Sequence, residues 1–183
     1  LIKNFTNWTK KNTTHPIEQE LHIDVDSVPV IYKEDSSIKG VDLVLGTKTG
    51  PWTKYKNWPY FDGLKKLLDD NNVSYIDVDK ENIKGFEFLN YVKKSKAFLG
   101  LETGSSHYAS ALIRDSGYII QSGFCLFDYW ARSYNFTKIE HEVECRNCWL
   151  LGRGDGICQY DHKCMTRTTP DIVFNTIKHH LLD

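Results

Sequence analysis

Three groups of residues in this 183-residue chain carry side chains whose types and spacing could do chemistry. The first is the loop Gly46-Thr47-Lys48-Thr49-Gly50-Pro51-Trp52-Thr53-Lys54-Tyr55-Lys56-Asn57-Trp58-Pro59. Its small residues permit a ligand to approach the backbone, and Lys48, Lys54 or Lys56 can offer positive charge to a phosphate. A lysine in a surface loop is ordinarily solvated and no more. The second group is Glu102-Thr103-Gly104-Ser105-Ser106-His107, which follows an apolar run and precedes a segment of helical pattern. Unpaired N–H groups and the positive dipole end of a helix suit such a position to a diphosphate, with Thr103, Ser105 and Ser106 as hydroxyl donors. The plainer alternative is a helix cap by Thr103 or Ser105, with His107 satisfied locally. Glu102 would repel a diphosphate directly, so it is expected to bind a sugar or ribose hydroxyl or to orient a neighbouring donor.

The third group is the cysteine window Cys145-x2-Cys148-x9-Cys158-x5-Cys164. Two thiolates in a Cys-x2-Cys turn, joined by two more beyond an excursion containing Gly152, Gly154 and Gly156, suit tetrahedral zinc or iron. Four thiolates leave no open coordination position, so the expected role is structural. His162 could replace one ligand, although a solvent-facing histidine is the commoner outcome. A pair of disulfides is the competing reading and would need an oxidising compartment. Cys125 stands apart and reads as a small core residue. Phe124, Phe127, Tyr129 and Trp130 could stack on a base or sugar, or could plug the core beneath the cysteine finger.

The elements that must position these groups emerge from the hydrophobic pattern. Apolar runs at Val41 to Leu45, Val73 to Val78, Ala97 to Leu101 and Tyr118 to Gln121 read as strands. Segments of helical period lie between them at Pro59 to Asp70, Phe86 to Ser95 and Ser105 to Asp115. Repeated strand–helix–strand units predict right-handed crossovers and a parallel sheet covered by helices on both faces, an α/β, Rossmann-like fold. In such sheets ligands bind beyond the carboxyl ends of the strands, which is where the first two groups fall. A last helix is expected over Asp171 to Leu182. Ahead of the regular pattern, residues 1–14 read as a polar arm, His15 to Ile23 as a short helix and Val28 to Lys33 as an edge strand. The predicted division is an arm and interdomain segment over 1–40 and a nucleotide-sugar-binding domain over 41–183 that includes the finger at 145–164.

Composition narrows the function classes. Apolar residues make up 40% and charged residues 26% of the chain, the balance of a packed globular protein. A net charge of -1 gives no electrostatic ground for a nucleic-acid partner. No apolar run approaches the roughly 20 residues of a membrane-spanning helix, and a cytoplasmic site, at most peripheral to the inner membrane, is expected. Asn-x-Ser/Thr triplets at Asn4, Asn7, Asn12, Asn72 and Asn135 are read as products of an Asn-rich composition rather than as glycosylation sites.

The two loops taken together, Lys56-x-Trp58-Pro59 and then Glu102-Thr103-Gly104 with two small residues, His107 and an Ala-bearing helix, resemble glycosyltransferase family 9, the ADP-heptose:lipopolysaccharide heptosyltransferases. The resemblance covers approximately Val41 to Asp183, and His15-Pro16-Ile17-Glu18 is similar to the family's interdomain segment. It implies the C-terminal, donor-binding half of a two-domain GT-B fold. It further implies an ADP-heptose-like nucleotide diphosphate sugar and a carbohydrate acceptor as partners, and a catalytic base on an N-terminal domain. Lys56, Thr103 and Gly104 would face the donor diphosphate, with His107 at the family's histidine. Relatives that modify autotransporter adhesins carry a cysteine finger in this region, in line with the metal reading. The chain departs from the family at Glu102, where Asp is usual, and the ribose-binding acid could be Asp79 or Glu81. Two other classes stay open on the residues alone: a non-catalytic nucleotide- or sugar-binding module, and a zinc-finger interaction protein on a parallel-sheet scaffold.

Overall fold

A computed structural model describes residues 2–4, 29–31, 33–113, 115–125, 136–148 and 158–182. The expected helix at His15 to Ile23, the aromatics Phe127, Tyr129 and Trp130, and the glycine-bearing excursion between Cys148 and Cys158 lie outside these residues.

The organising element is a parallel sheet of five strands: β3 (Leu43–Leu45), β4 (Tyr75–Asp77), β5 (Ala97–Leu101), β6 (Gly117–Ile120) and β7 (Thr137–Ile139), in the order β4-β3-β5-β6-β7. Every pairing is parallel, as the alternation of apolar runs and helical segments predicts. The sequence pattern yields four of these strands. It misses β7, an edge strand in which only Ile139 is buried, so its sequence lacks the continuous apolar run that marks its neighbours. Two further strands, β1 (Ile2–Asn4) and β2 (Pro29–Ile31), form a separate antiparallel pair. Thus Ile2–Asn4 has a regular backbone where an irregular arm is expected.

Alternate strand residues feed two cores. Leu43, Leu45, Leu99, Leu101, Tyr118 and Ile120 face α1 (Phe61–Asp70) and α5 (Pro170–Ile177), which contribute Leu64, Leu68, Val173 and Ile177. Val44, Phe98 and Ile119 face α2 (Gly85–Lys94) and α3 (Gly104–Ser110), which contribute Phe88, Val92 and Ala109. Burial on both faces explains why the central strands are apolar throughout. The helix starts also have local causes. The Thr169 side chain caps α5 by accepting the Ile172 N–H, and Pro170 fits the first turn because its missing N–H would be unpaired there.

Two elements differ from expectation in length. Helix α3 ends at Ser110 and passes through a turn at Ala111 and Leu112, so it is shorter than Ser105 to Asp115. The last helix closes at Ile177 and tightens into a 3-10 turn over Lys178–His180. A short helix, α4 (Lys163–Thr166), carries Cys164 ahead of it.

The sheet order puts β4 on one side of β3 and β5 on the other. The chain therefore reverses its direction of winding between β3 and β5, and loops leaving the carboxyl ends of those two strands diverge around a crevice. Both candidate loops leave from these ends.

Candidate functional site

Loop residues 46–59 are tied down at each end. At the start, the Gly46 N–H donates to the Leu99 carbonyl at 2.9 Å, and the Thr47 and Lys48 N–H groups both donate to Asp79 Oδ2, at 2.6 and 2.9 Å. Asp77 takes the Thr47 hydroxyl at 2.8 Å and Lys65 Nζ at 2.7 Å. Burial pushes the Asp77 pKa up, but the Lys65 ammonium, the Lys80 N–H and the Thr47 hydroxyl outweigh it, so Asp77 stays ionised below the usual carboxylate range. Asp79 is thus engaged in holding the loop, while Glu81 is exposed. At the loop's far end Trp58, 3% exposed, donates its indole N–H to the Thr168 carbonyl at 2.7 Å, and Tyr60 donates its hydroxyl to the Thr166 carbonyl at 3.1 Å. Trp58 is the anchor of the Lys-x-Trp-Pro stretch, and it fixes where Lys56 can point.

Of the candidate lysines, Lys48 is exposed and the Lys54 side chain lies outside the described residues. Lys56 is only 6% exposed, the opposite of a solvated loop lysine. Its ammonium lies 3.8 Å from Glu102 Oε1 and 4.5 Å from the centre of the Phe124 ring. Glu102 is equally buried and is held by other groups. Ser122 donates its N–H to Oε2 at 2.9 Å and its hydroxyl to the same oxygen, and the Cys125 thiol lies 3.5 Å from Oε1. Of the roles expected for Glu102, orienting a neighbouring donor is the one these contacts match.

The second loop packs against the first. Ser105 Oγ would lie 3.3 Å from a Cβ at Gly46, so the bare Gly46 makes room for Ser105. Thr103 occupies the N-cap position of α3 without a side-chain capping bond; its hydroxyl pairs instead with Ser105 Oγ at 2.7 Å. Ser106 is fully buried and donates to the Leu101 carbonyl at 2.6 Å, so it ties the helix to β5 rather than facing a ligand. Among the described residues, none beyond the local helix backbone comes within 4 Å of where a Cβ on Gly104 would stand. His107 is exposed on α3, yet the surrounding chain lowers its imidazole pKa by desolvation. At seven residues α3 carries a weaker dipole than the longer expected helix.

Ser122, which contacts Glu102, escapes the sequence reading, whereas Phe124, which lies against Lys56, is among the aromatics that reading names. Ser122 follows a strand end with no motif around it, and Phe124 reads equally as core. Tyr55 packs on Phe124 with ring centres 5.3 Å apart, and Cys148 and Cys158 pack against Phe124 and Cys125. Burial first, then the Glu102 charge, pushes the Cys125 thiol up to about 11, in line with the small core residue expected there.

The cysteine window adjoins this wall. Gly123 links the two: its carbonyl accepts the Asn147 N–H at 2.7 Å, and a Cβ on it would meet Cys164 Cβ at 3.2 Å and Val143 Cγ2 at 3.3 Å. None of the four cysteines is in a disulfide. Burial raises the Cys164 pKa, and Cys158, Cys145 and Cys148 each raise it further, so the four lie within electrostatic reach of one another. The Tyr160 N–H points at Cys158 Sγ at 3.4 Å, and Asn147 and His162 take left-handed backbone conformations at the turns. Among the described residues, however, no group of three or more His, Cys, Asp or Glu side chains is arranged to hold a metal ion. The window therefore gathers the thiols without setting them in coordination geometry.

No protein-family model matches the chain, and no curated protein matches it in sequence. Among solved structures it is similar to the dodecameric iron-containing heptosyltransferase TibC, determined in complex with ADP-D-beta-D-heptose. The TM-score is 0.62 at 17% identity, over 87% of this chain. What the two share is a fold. The chain spans 50% of the length of the TibC chain. Among the described residues no helix is long and apolar enough to cross a membrane.

Proposed function

We propose that the chain is the donor-binding half of a glycosyltransferase that moves a sugar, heptose-like, from a nucleoside diphosphate sugar to a carbohydrate acceptor. The observation that carries this reading is the placement of Lys56, a residue only 6% exposed, at the crevice where the sheet reverses its winding. Among the described residues the Lys56 ammonium has no hydrogen-bonded acceptor, so an anion that reaches it from the crevice gains charge-assisted hydrogen bonds. Glu102 balances its charge from 3.8 Å but does not take its hydrogen bonds. A diphosphate would, and the open space at Gly104 with the Thr103 and Ser105 hydroxyls gives it a bed. The solved heptosyltransferase of similar fold was determined with ADP-heptose bound, which supports the ligand class.

Within that reading, Lys56 stabilises the negative charge that grows on the diphosphate as the glycosidic bond breaks. Thr103 and Ser105 donate to the same leaving group, and His107 stands at the exposed edge of α3 beside it. The acceptor site and the base that deprotonates its hydroxyl are assigned to the half of such an enzyme that this chain does not cover. Calorimetric titration with ADP, other nucleoside diphosphates and ADP-heptose tests the proposal. Selective binding of a nucleoside diphosphate is expected, and no binding by a folded chain overturns it.

A structural zinc or iron ion held by Cys145, Cys148, Cys158 and Cys164 is part of the same proposal. Four cysteines outside any disulfide and within electrostatic reach, with backbone N–H groups directed at sulfur, fit such an ion in donor type. Bound there, it would cross-link the window and supply no reaction step. Elemental analysis of wild type and of the Cys145→Ser/Cys148→Ser variant is the test; equal metal content in the two would remove the assignment.

A further inference from the structure

The Lys56–Glu102 pair poses a question of distance. Two opposite charges buried side by side, with side chains 7% and 0% exposed, should close to a charge-assisted hydrogen bond of about 2.7–2.9 Å. They stand 3.8 Å apart. Ser122 accounts for the gap. Its backbone N–H and its hydroxyl both donate to Glu102 Oε2, and the Cys125 thiol lies against Oε1. Both Ser122 donors fix Oε2 and so hold the carboxylate on that side, while Oε1, the oxygen nearer Lys56, has the weak thiol donor against it. The ammonium is steadied from another direction by the Phe124 ring, which attracts its charge but accepts no conventional hydrogen bond from it. Ser122 is itself 2% exposed, at the carboxyl end of β6, where its placement is set by the strand and not by solvent.

We propose that Ser122 is a positioning residue for the diphosphate site: by fixing Oε2 of Glu102 it holds the carboxylate out of hydrogen-bond contact with Lys56 and leaves the ammonium's protons for the ligand. This rests on the reading of Lys56 as a diphosphate ligand. It also resolves the apparent conflict of an acidic residue beside an anion site. Glu102 supplies the negative charge opposite Lys56, while its Oε2 is taken by Ser122 and its Oε1 lies against the Cys125 thiol. Without the Ser122 hydroxyl, Glu102 would turn to Lys56 for its missing donor and compete with the diphosphate for the same protons.

A double-mutant cycle reads this directly, because a merely structural serine would cost the same whatever stands at residue 102. Titrated with ADP, Ser122→Ala should lose about tenfold in affinity, the worth of one charged hydrogen bond. Introduced into Glu102→Gln, which no longer competes as an anion, the same change should cost less than about twofold. Equal losses in both backgrounds, or no loss in either, would overturn the proposal. Melting curves confirm that each variant is folded; if Ser122→Ala is not, Ser122→Cys, similar in size with a weaker S–H donor, carries the same comparison. A crystal structure of the Ser122 variant supplies a reading independent of ligand. Lys56 Nζ and the Glu102 carboxylate should approach to about 2.8 Å, and a pair still near 3.8 Å would sink the idea. If folded wild type binds no nucleoside diphosphate, the functional reading fails by itself, and this structural comparison still decides what Ser122 does.

Discussion

Replacing Lys56 with Met removes the ammonium and keeps most of the volume beneath Phe124. At 3.8 Å the charge of Lys56 attracts Glu102 by roughly 4 kcal/mol at an effective dielectric of about 20, so the pair matters to the fold as well as to the ligand. Breaking a buried pair from one side costs about 3–5 kcal/mol when the other charge is left bare. Glu102 is not left bare, because Ser122 and Cys125 still face it, and the stability loss should fall below that range. For a chain of this length it amounts to a drop in melting temperature of less than about 10 °C. The loss of ligand binding is a separate quantity: one charge-assisted contact to phosphate, about 1.5–3 kcal/mol, or roughly 10- to 150-fold in affinity for ADP. Calorimetry on Lys56→Met with ADP and with adenosine separates the two effects, since adenosine has no phosphate for Lys56 to meet. Unchanged ADP affinity in the folded variant would remove Lys56 from the site. An equal loss for ADP and adenosine would show that it acts through the fold.

Gly104→Leu should fold normally, because the space at its Cβ is empty, and should lose ADP binding; retained binding would clear this loop of any ligand. Lys65→Met should destabilise the chain by about 1.5–3 kcal/mol at pH 7 by stripping Asp77 of its ion pair. Asp77 has a lowered pKa in the folded chain, so its contribution is present above the unfolded value of about 4 and disappears as the pH falls through the lower folded value. The gap between variant and wild type in denaturant titrations should therefore close below about pH 4, and a gap unchanged at low pH would contradict the assignment. Cys125, 3% exposed with its pKa pushed up to about 11, should resist iodoacetamide at pH 8; alkylation at the rate of an open thiol, read by mass spectrometry, would contradict its burial. Gly123→Val should disturb the cysteine window, since its side chain would meet Cys164 and Val143, and the expected result is a lower melting temperature with faster labelling of Cys164.

Much of the scaffold was legible in the residues by themselves. Apolar runs separated by helical periods specify a parallel, doubly covered sheet, because each element must bury one stripe or both faces, and this local rule does not depend on distant partners. The carboxyl-end loops are legible for the same reason: once the strands are placed, Gly46 to Pro59 and Glu102 to His107 can only lie at one edge. The edge strand Thr137–Ile139, with little buried surface, and the three-residue strand Ile2–Asn4 were not legible, since such short strands leave no continuous apolar run. Spacing alone did not separate the three loop lysines, and only the family resemblance pointed to Lys56. Lys48, Lys54 and Lys56 are alike in sequence, and it takes Trp58, anchored on Thr168 far along the chain, to turn Lys56 into the interior. Glu102 looked like an obstacle to an anion until the fold set Ser122 against it, a contact between residues 20 apart that no spacing rule encodes. Residue type therefore fixed what chemistry was available here. Tertiary packing decided which copies of each residue could perform it, because burial and hydrogen-bond saturation are properties of neighbours in space.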